Sequence, residues 1–528
     1  MIAFAACIAS RDKYERFALP GIKRYGGDDA LVIETSSSSS ILEAYNGVLD
    51  QLRERSDIEA LVLLHEDTEI RDPLFRWRVR RAFNDPDVAV VGAIGATDVN
   101  SLAWWEGNTF GWISESRGQI EFGRGDAVVD AVDGLMLVLS PWAIRNLRFD
   151  DKTFRGFHAY DIDFCFQARK AGRQVKVVDL DLIHHTKGGY GDETVWQANN
   201  AAWSAKWQPF IDSQKRTGPQ CSIIIPLYNK VEYTHRCLES IIANTPEGSY
   251  QTVLVDNGSS DDTGRLLDAI EGDDVVIIRN EVNQGFAKAC NAGARAATTD
   301  TLLFLNNDTT VTPGWLEPML ANLRARPNVG VVGNKLLFPD GTIQHGGVML
   351  FEYLERPNDH PVVSFGPMLR YYRQPGDLAL ANRPEIVNGI TGACMLIRRH
   401  LFFSLGGFDE VFWNGYEDVD LSIKVHRAGW DLFYEPRSVV YHYESVSGPE
   451  RFSKERANVD LFVNRWRGRV IPEIVASDTV AYPNRIGFTG DRLPGQSVVE
   501  REQVVTAAYL DLRERVLAAL AAAARTSP

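Results

Sequence analysis

Residues 302–311, LLFLNNDTTV, and residues 61–70, LVLLHEDTEI, follow the same pattern. In each stretch a short apolar run gives way to polar residues that include an aspartate, Asp308 in one and Asp67 in the other. A short apolar run that stops at polar residues is typical of a buried strand. The pattern therefore predicts two strands that each end at a carboxylate.

The two stretches belong to a long internal repeat. Each aspartate is followed by a helical pattern and then by PDVAVVG at 86–92 or PNVGVVG at 327–333. A repeat that extends over about 200 residues indicates two whole domains rather than the short units of a solenoid.

A later part of the repeat carries further acidic and histidine residues. YDIDFCFQARKAG aligns with EDVDLSIKVHRAG, which places Asp161 on Asp418. The same alignment places His185 on His442, 24 residues further along in both copies. The two halves are therefore expected to share an order of parts and to differ in loop length.

The hydrophobic pattern predicts the fold class and the domain limits. Both halves alternate short Val, Ile and Leu runs with helical stretches, which predicts α/β domains with a mostly parallel, Rossmann-like sheet. A polar segment at 213–220 separates the halves and predicts domains at 1–215 and 216–470. Residues 471–528 form a C-terminal extension, in which a capping signature at Ser497 and Glu500 predicts an amphipathic helix. This helix is expected to pack on a domain or to support an oligomer.

Composition narrows the class of protein. The net charge of −14 argues against nucleic acid as a partner, because that affinity rests on Lys and Arg. Six scattered cysteines without a CxxC pair indicate a reducing compartment and no disulfide framework. No signal peptide and no transmembrane segment is expected. The expected location is the cytoplasm, or the inner membrane face as a peripheral protein.

Polar residues of the second half collect at the predicted carboxyl ends of parallel strands, where open α/β sheets bind ligands. One strand ends in Pro226, Tyr228 and Asn229, and the next strands end at Asp256 and Asp308. The segment NQGFAKACNAG lies between them and supplies Asn283, Gly285 and Asn291. Taken singly, each acid is also explained as a turn or helix-capping residue. Their order along one chain favours a single binding crevice.

Residues 222–448 resemble the family 2 glycosyltransferases, inverting enzymes of the GT-A fold. The resemblance rests on SIIIPLYN, VDNGSSDDT, NQGFAKACNAG, LNNDTTV, GGFDEVFWNGYEDVDLSIKVHRAGW and YHYESVSG, in this order. The last two motifs are most similar to the rhamnosyltransferase-type branch of the family. The resemblance implies a nucleotide-sugar donor linked to UDP, dTDP or GDP, and a glycan, a lipid-linked or another hydroxyl acceptor.

The resemblance also implies roles for individual residues. Asp256 would contact the nucleotide base, and the other strand-end and loop residues, with Asn307 and Trp413, would line the donor pocket. Asp308 matches the last acid of the metal-binding DXD motif, and His442 would be a further ligand. In the Glu417–Asp418 pair, Asp418 would be the general base.

This sequence departs from the family pattern because Asn306 stands at the first acid of DXD. One carboxylate, an imidazole and pyrophosphate oxygens suit Mg²⁺ or Mn²⁺. A divalent ion would neutralise the leaving pyrophosphate, and a carboxylate would take the proton of the acceptor hydroxyl. The resemblance thus implies sugar transfer, in the synthesis of a bacterial-type polysaccharide or glycoconjugate.

The first half keeps fewer of these residues. Asp67 and His185 would be its metal ligands, Asp161 its base, and Glu34 the counterpart of Asp256. The Pro-x-Tyr-Asn turn is missing, and the Glu417 position holds Tyr160. Two alternatives stay open: a second active site, or a catalytically silent domain that binds glycan or a partner. A phage-type enzyme that glycosylates DNA bases is disfavoured by the acidity.

Overall fold

The computed structural model describes residues 1–36, 40–116, 118–186, 193–214, 218–270, 272–355, 362–443, 454–471, 474–475 and 487–488. The chain divides into two compact units. One is formed by Met1–Lys215 with Arg324–Arg326, and the other by Arg216–Leu323 with Pro327–Pro528. They are called the first and the second domain below.

The first domain alternates strands and helices. Its strands are β1 (Ile2–Cys7), β2 (Leu31–Thr35), β3 (Ala60–Leu64), β4 (Thr68–Ile70), β5 (Val88–Gly92), β6 (Ile94–Thr97), β7 (Asn108–Glu115), β8 (Gly118–Glu121), β9 (Ala127–Val129), β10 (Ala131–Val132), β11 (Met136–Leu139), β12 (Gln174–Val177) and β13 (Leu182–His184). Its helices are α1 (Arg11–Lys13), α2 (Leu19–Tyr25), α3 (Ile41–Leu52), α4 (Phe75–Phe83), α5 (Pro141–Asn146), α6 (Tyr160–Lys170) and α7 (Glu193–Gln214). A π-helical turn at Tyr14–Ala18 joins α1 to α2, and a 3₁₀ turn lies at Trp104–Glu106.

The main sheet of the first domain has the strand order β2-β1-β3-β11-β5-β12-β9. Strands β2, β1 and β3 are parallel, β11 runs antiparallel to both its neighbours, and β12 is parallel to β5. A second sheet has the order β10-β6-β7-β13-β4, with β8 beside β7. The parallel strands β1 and β3 are apolar and buried, as expected for strands covered on both faces.

The second domain repeats this alternation. Its strands are β14 (Cys221–Leu227), β15 (Tyr250–Asp256), β16 (Val275–Arg279), β17 (Thr301–Leu305), β18 (Thr309–Val311), β19 (Val329–Leu337), β20 (Ile343–His345), β21 (Val348–Glu355), β22 (Val362–Leu369), β23 (Glu385–Val387), β24 (Cys394–Arg398), β25 (Asp431–His442), β26 (Val470–Ile471), β27 (Ile474–Val475) and β28 (Gly487–Phe488). Its helices are α8 (Val231–Asn244), α9 (Thr263–Asp268), α10 (Phe286–Ala296), α11 (Glu317–Ala325), α12 (Arg399–Ser404), α13 (Glu417–Arg427) and α14 (Glu455–Trp466), with a 3₁₀ turn at Ala379–Asn382.

The main sheet of the second domain has the order β16-β15-β14-β17-β24-β19-β25-β18. Its central six strands match the first domain's β2-β1-β3-β11-β5-β12 in order and in direction. The two domains therefore share one topology, and the predicted α/β fold with a mostly parallel sheet is confirmed.

Apolar clusters cover both faces of the second domain's sheet. Cys221, Ile223, Leu303 and Trp315 pack on one face, and Ile224 on the other. Alternate residues of β14 thus point to opposite sides, as the period of a strand requires. Apolar packing on both faces holds each strand in place. The polar residues at the carboxyl ends of the strands are therefore held in place as well.

Two sequence predictions fall on the carboxyl-terminal part of the chain. The amphipathic helix that Ser497 and Glu500 indicate lies outside the described residues. Within the part of the chain that the structure describes, no helix is both long enough and apolar enough to cross a membrane.

Candidate active site

A cleft of about 430 Å³ lies at the carboxyl ends of the second domain's strands. Ten of the residues that the sequence predicted line it: Pro226, Tyr228, Asn283, Gly285, Asn307, Asp308, Trp413, Glu417, Asp418 and His442. They come from the ends of β14, β17 and β25, from the loop before α10 and from the start of α13. The cleft thus collects residues that are distant in the sequence.

One side of the cleft is a candidate metal site. Strand β18 begins at Thr309, which pairs with His442 of β25, so the preceding Asp308 lies beside that histidine. The Nε2 atom of His442 is 3.1 Å from Oδ1 of Asp308. Oε1 of Gln344 accepts a hydrogen bond of 2.6 Å from Nδ1 of His442. In the neutral imidazole the proton is therefore on Nδ1, and Nε2 presents its lone pair to the carboxylate.

The residues on this side fit a divalent cation. A lone pair and a carboxylate oxygen at 3.1 Å repel each other unless a positive charge lies between them. Nδ2 of Asn306 donates to the same Nε2 atom of His442 at 3.3 Å, so this lone pair faces both Asn306 and Asp308, and Oδ1 of Asn306 is buried without a hydrogen-bond partner among the described residues. A carboxylate, an imidazole and an unused amide oxygen are a donor set that Mn²⁺ or Mg²⁺ accepts.

The other side of the cleft holds the candidate base. Oδ2 of Asp418 accepts the backbone N–H of Gly392 at 2.8 Å, and Oδ1 accepts the N–H of Val419 at 2.8 Å. Burial raises the pKa of Asp418 above its usual range although these hydrogen bonds oppose the shift. A raised pKa makes the carboxylate a stronger proton acceptor. Tyr416, just before the helix, has a positive φ of 75°, a strained conformation typical of functional sites.

Gly285 brings the loop before α10 against the loop of Trp413. Its φ is +87°, and a Cβ atom there would lie 2.6 Å from the carbonyl oxygen of Trp413. The same carbonyl accepts the N–H of Phe286 at 3.0 Å. Only glycine allows this approach, so Gly285 shapes the wall of the cleft through the backbone.

The prediction of Asn291 as a donor-binding residue is not supported by its contacts. Its Nδ2 donates to the carbonyl of Phe408 at 2.8 Å and to Glu410 at 3.1 Å, and its Oδ1 accepts the N–H of Phe408 at 3.0 Å. The amide is buried and used to hold this loop. Asn46 makes the matching bonds to Phe149 in the first domain, which indicates a structural role for both.

Two other predicted donor residues lie outside the wall of the cleft. Asp256 ends β15 and accepts the N–H of Ser259 at 2.9 Å. Asn229, with φ of 55°, accepts the N–H of Ser260 at 2.8 Å. The structure therefore places both in the turn network beside the cleft, and their role toward a donor stays a prediction.

In the first domain, Asp161 has equivalent hydrogen-bond partners to those that the candidate base Asp418 has in the second domain. Oδ2 of Asp161 accepts the N–H of Gly134 at 2.8 Å, and Oδ1 accepts the N–H of Ile162 at 2.9 Å. These are the bonds that Asp418 makes in the second domain. Burial, with a contribution from the charge of Asp133, raises the pKa of Asp161 to about 7. Ala159, before the helix, has a φ of 69°.

The assignment of His185 as the counterpart of His442 requires a correction. In β13 it is His184 that pairs with Thr68, as His442 pairs with Thr309. His184 Nε2 lies 3.5 Å from Oδ1 of Asp67, whereas His185 contacts Glu69 at 2.8 Å. The register of β25 shifts where it pairs with β19, and the second domain has one more residue there. The equal spacing of 24 residues was therefore a coincidence.

Two acidic residues of the first domain, the predicted Glu34 and Glu66, which precedes Asp67, are engaged in other contacts. Glu34 forms an ion pair with Arg11. Glu66 accepts the N–H groups of Ala9 and Ser10, each at 2.6 Å, so its carboxylate fixes the loop after β1. These two side chains therefore make structural contacts in the first domain, whereas the hydrogen bonds of Asp161 match those of Asp418.

Several cleft residues were missed by sequence reasoning, namely Asn257, Phe286, Gln344, His345, Thr391 and Gly392. Gln344 and His345 belong to β20, for which the repeat has no counterpart, so the internal alignment gave no signal. Thr391 and Gly392 precede β24 in the stretch ITGACMLIRRHLFFSL, which aligns with VDGLMLVLSPWAIRNL of the first half, and this signal could have identified them.

Comparison with known proteins supports these observations. Residues 222–405 match the glycosyl transferase family 2 model, and residues 3–208 match the model of a glycosyltransferase-like family. StrF, a streptomycin biosynthesis protein of Streptomyces griseus, is 33% identical over 38% of this chain and 73% of its own length. An L-rhamnosyltransferase of Mycobacterium tuberculosis that acts on N-acetylglucosaminyl-diphospho-decaprenol is 29% identical over 43% of this chain and 76% of its own length.

A third relative is longer than the matched region. The protein y4gI of Sinorhizobium fredii is 32% identical over 47% of this chain, and the match spans 28% of the relative's length. The chain therefore spans less than a third of this relative. With the two matched models and the shared topology, the chain belongs to the family 2 glycosyltransferases and carries two glycosyltransferase domains in tandem.

Proposed function

We propose that the second domain transfers a sugar from a nucleotide-sugar donor to a hydroxyl group of an acceptor, with inversion at the anomeric carbon. The observation that carries the proposal is that Asp418 and the Asp308–His442 pair line one cleft. In one cleft, the base would accept the proton of the attacking hydroxyl and the cation site would neutralise the charge of the leaving diphosphate.

Different residues would carry out proton transfer and cation binding. The carboxylate of Asp418 accepts the proton of the acceptor hydroxyl while that oxygen bonds to the anomeric carbon. The bond from this carbon to the diphosphate oxygen breaks, and the electron pair leaves with the diphosphate. Asp308, His442 and Asn306 would hold Mn²⁺ or Mg²⁺, which supplies Lewis-acid neutralisation of that charge. Attack from the side opposite the leaving group accounts for inversion.

The donor would occupy the part of the cleft near Tyr228, Asn283 and Trp413. A UDP-, dTDP- or GDP-linked sugar has the diphosphate that the cation site calls for. The relative that transfers rhamnose to a lipid-linked sugar favours a glycan or lipid-linked acceptor for this chain, and thus a role in polysaccharide or glycoconjugate synthesis.

The first domain is a second candidate transferase. The observation that favours it is the pair of hydrogen bonds on Asp161, which reproduces the setting of Asp418. A pKa of about 7 suits a base that works near neutral pH. If this domain is active, it adds a second sugar from a pocket of different composition.

The test is a panel of nucleotide sugars and acceptors with the full chain, Mn²⁺ and product mass as readout. Asp418→Asn and Asp161→Asn are measured separately, with the exposed Asp262→Asn as control. We expect Asp418→Asn to abolish one product and Asp262→Asn to change none. A product that depends on Asp161 would establish the second site. Full turnover by Asp418→Asn would refute the assignment of the base.

A further inference from the structure

The first domain contains a compact cluster of two histidines and one carboxylate. One ligand atom from each of His65, Asp67 and His184 lies within 4.8 Å of the others. Bonds to a metal of about 2.1 Å bring ligand atoms to within about 4.2 Å, so small side-chain rotations close the remaining gap. Such a cluster is a candidate metal site, and its composition differs from that of the second domain.

His65 stands where the second domain has Asn306. The N–H of His65 bonds to the carbonyl of Leu135, as the N–H of Asn306 bonds to that of Ala393. Each residue also follows directly on a buried strand, β3 or β17. The first domain thus replaces an amide by an imidazole at an equivalent position.

The hydrogen bonds of His65 leave one of its ring nitrogens free to act as a ligand. The hydroxyl of Tyr160 donates its single proton to the carbonyl of Gly134 at 2.8 Å. At 2.7 Å from Nε2 of His65, the same hydroxyl must therefore accept a proton from this nitrogen. Nδ1 then carries the lone pair. A metal-bound histidine is usually oriented by a hydrogen bond that its other ring nitrogen donates, and the hydroxyl of Tyr160 accepts such a bond here.

The two other residues are held in a similar way. Lys13 contacts Oδ2 of Asp67 at 3.0 Å, which leaves Oδ1 toward Nε2 of His184 at 3.5 Å. The other ring nitrogen of His184 faces the carboxylate of Glu115 at 3.9 Å. Each of the three residues therefore has a further contact beside those within the cluster: His65 with Tyr160, Asp67 with Lys13, and His184 with Glu115.

We propose that the first domain binds a divalent transition metal such as Co²⁺, Zn²⁺ or Fe²⁺ through His65, Asp67 and His184, more tightly than it binds Mg²⁺. Imidazole nitrogens favour these ions, whereas Mg²⁺ favours oxygen ligands. This inference goes beyond the function proposed for the second domain, and it holds whether or not the first domain transfers a sugar.

The experiment uses the full chain with Asp308→Asn and His442→Asn, which removes the candidate site of the second domain. This protein is titrated with Co²⁺ alone, and binding is followed by visible absorption and by calorimetry. We expect one Co²⁺ per chain, displaced by Zn²⁺, and an affinity for Mg²⁺ at least 10-fold weaker. Equal affinity for Mg²⁺ and Co²⁺, or no bound Co²⁺, would overturn the proposal.

Single substitutions in this background identify the ligands. His65→Asn, which introduces the residue of the second domain, and His184→Asn are each expected to weaken Co²⁺ binding at least 10-fold. His185→Asn is the matched control, because His185 stacks on Phe17 and contacts Glu69, and it should keep the affinity. An unchanged affinity in His65→Asn, or an equal loss in His185→Asn, would contradict the ligand set.

A spectroscopic measurement tests the site without any substitution in the first domain. Pulsed EPR of Mn²⁺ bound to the same background protein should show coupling to two nitrogen nuclei. Coupling to no nitrogen would overturn the proposal even if the histidine variants fail to fold. Sugar transfer by the wild-type protein is measured separately, so loss of the proposed transferase function and loss of this metal site give different results.

Discussion

The Nε2 atom of His442 lies 3.1 Å from Oδ1 of Asp308, while the opposite ring nitrogen of His442 donates to Gln344 at 2.6 Å. The hydrogen bond to Gln344 thus orients the imidazole so that Nε2 of His442 faces the carboxylate of Asp308. Because Gln344 is buried and comes from a different strand, it holds the imidazole in place before any ligand arrives.

Replacing Gln344 should weaken metal binding more than it affects the chemical step. Gln344→Ala removes the acceptor that fixes the tautomer and the orientation of His442, and such outer contacts are worth about 10–100-fold in metal affinity. The concentration of Mn²⁺ that gives half-maximal transfer should rise by this factor, with activity largely restored at high Mn²⁺. The exposed Gln374→Ala is the control. An unchanged Mn²⁺ dependence in Gln344→Ala would show that the glutamine does not position His442.

Substitution of Gly285 tests the shape of the donor side of the cleft. A Cβ atom there would meet the carbonyl oxygen of Trp413 at 2.6 Å, and backbone cannot move aside as a side chain can. Gly285→Ala should therefore lower donor affinity at least 10-fold, measured by calorimetry with the nucleotide and Mn²⁺. Gly248→Ala is a matched control, since its φ is +71° and nothing lies within 4 Å of the added atom. Equal donor affinity in both variants would count against this role of Gly285.

Asn291 should prove to be a stability residue. Asn291→Ala leaves the buried N–H and carbonyl of Phe408 without a side-chain partner, which costs about 1–3 kcal/mol. We expect a lower midpoint of chemical unfolding and an unchanged nucleotide affinity at temperatures where the variant is folded. A loss of nucleotide affinity without a loss of stability would restore the original donor-binding assignment.

The pKa of Asp161 predicts how the stability of the first domain depends on pH. Its folded-state pKa of about 7 lies above the usual aspartate pKa of about 3.9, because burial and the charge of Asp133 disfavour the charged form. Stability is therefore fully present below about pH 4 and is lost as pH rises through about 7. Asp161→Asn cannot ionise, so the free energy of unfolding of the wild type should fall relative to that of this variant as pH rises over this range, by on the order of 4 kcal/mol in total.

Denaturant unfolding of the wild type and Asp161→Asn at several pH values measures this difference. The exposed Asp28→Asn serves as control and should show no comparable trend. A difference between wild type and Asp161→Asn that stays constant from pH 4 to pH 8 would contradict the raised pKa.

The repeat made most of the fold predictable from the sequence. Apolar strands that end in polar residues, followed by helical patterns, indicated two α/β domains, and the aligned aspartates Asp161 and Asp418 have the same hydrogen bonds in the structure. Local pattern was sufficient here because strand ends in a parallel sheet converge on one edge.

The errors have a different physical origin. His184 was missed because one additional residue in the irregular part of β25 shifts the register, and a shift of one residue turns a side chain to the other face. Asn291 was predicted to bind the donor, whereas its hydrogen bonds to Phe408 favour a structural role that the sequence pattern does not distinguish from donor binding. Gln344 was missed because its contact with His442 links residues 98 positions apart, which no local pattern records.

The most direct test of the central claim is the single-turnover rate of sugar transfer by Asp418→Asn. Asparagine keeps the size of the side chain but cannot take the proton of the acceptor, an effect worth roughly 10²–10⁴-fold. We predict a rate lower by this factor, with the dissociation constant of the nucleotide–Mn²⁺ complex within about twofold of the wild type's. A rate equal to that of the wild type would contradict the assignment of Asp418 as the base.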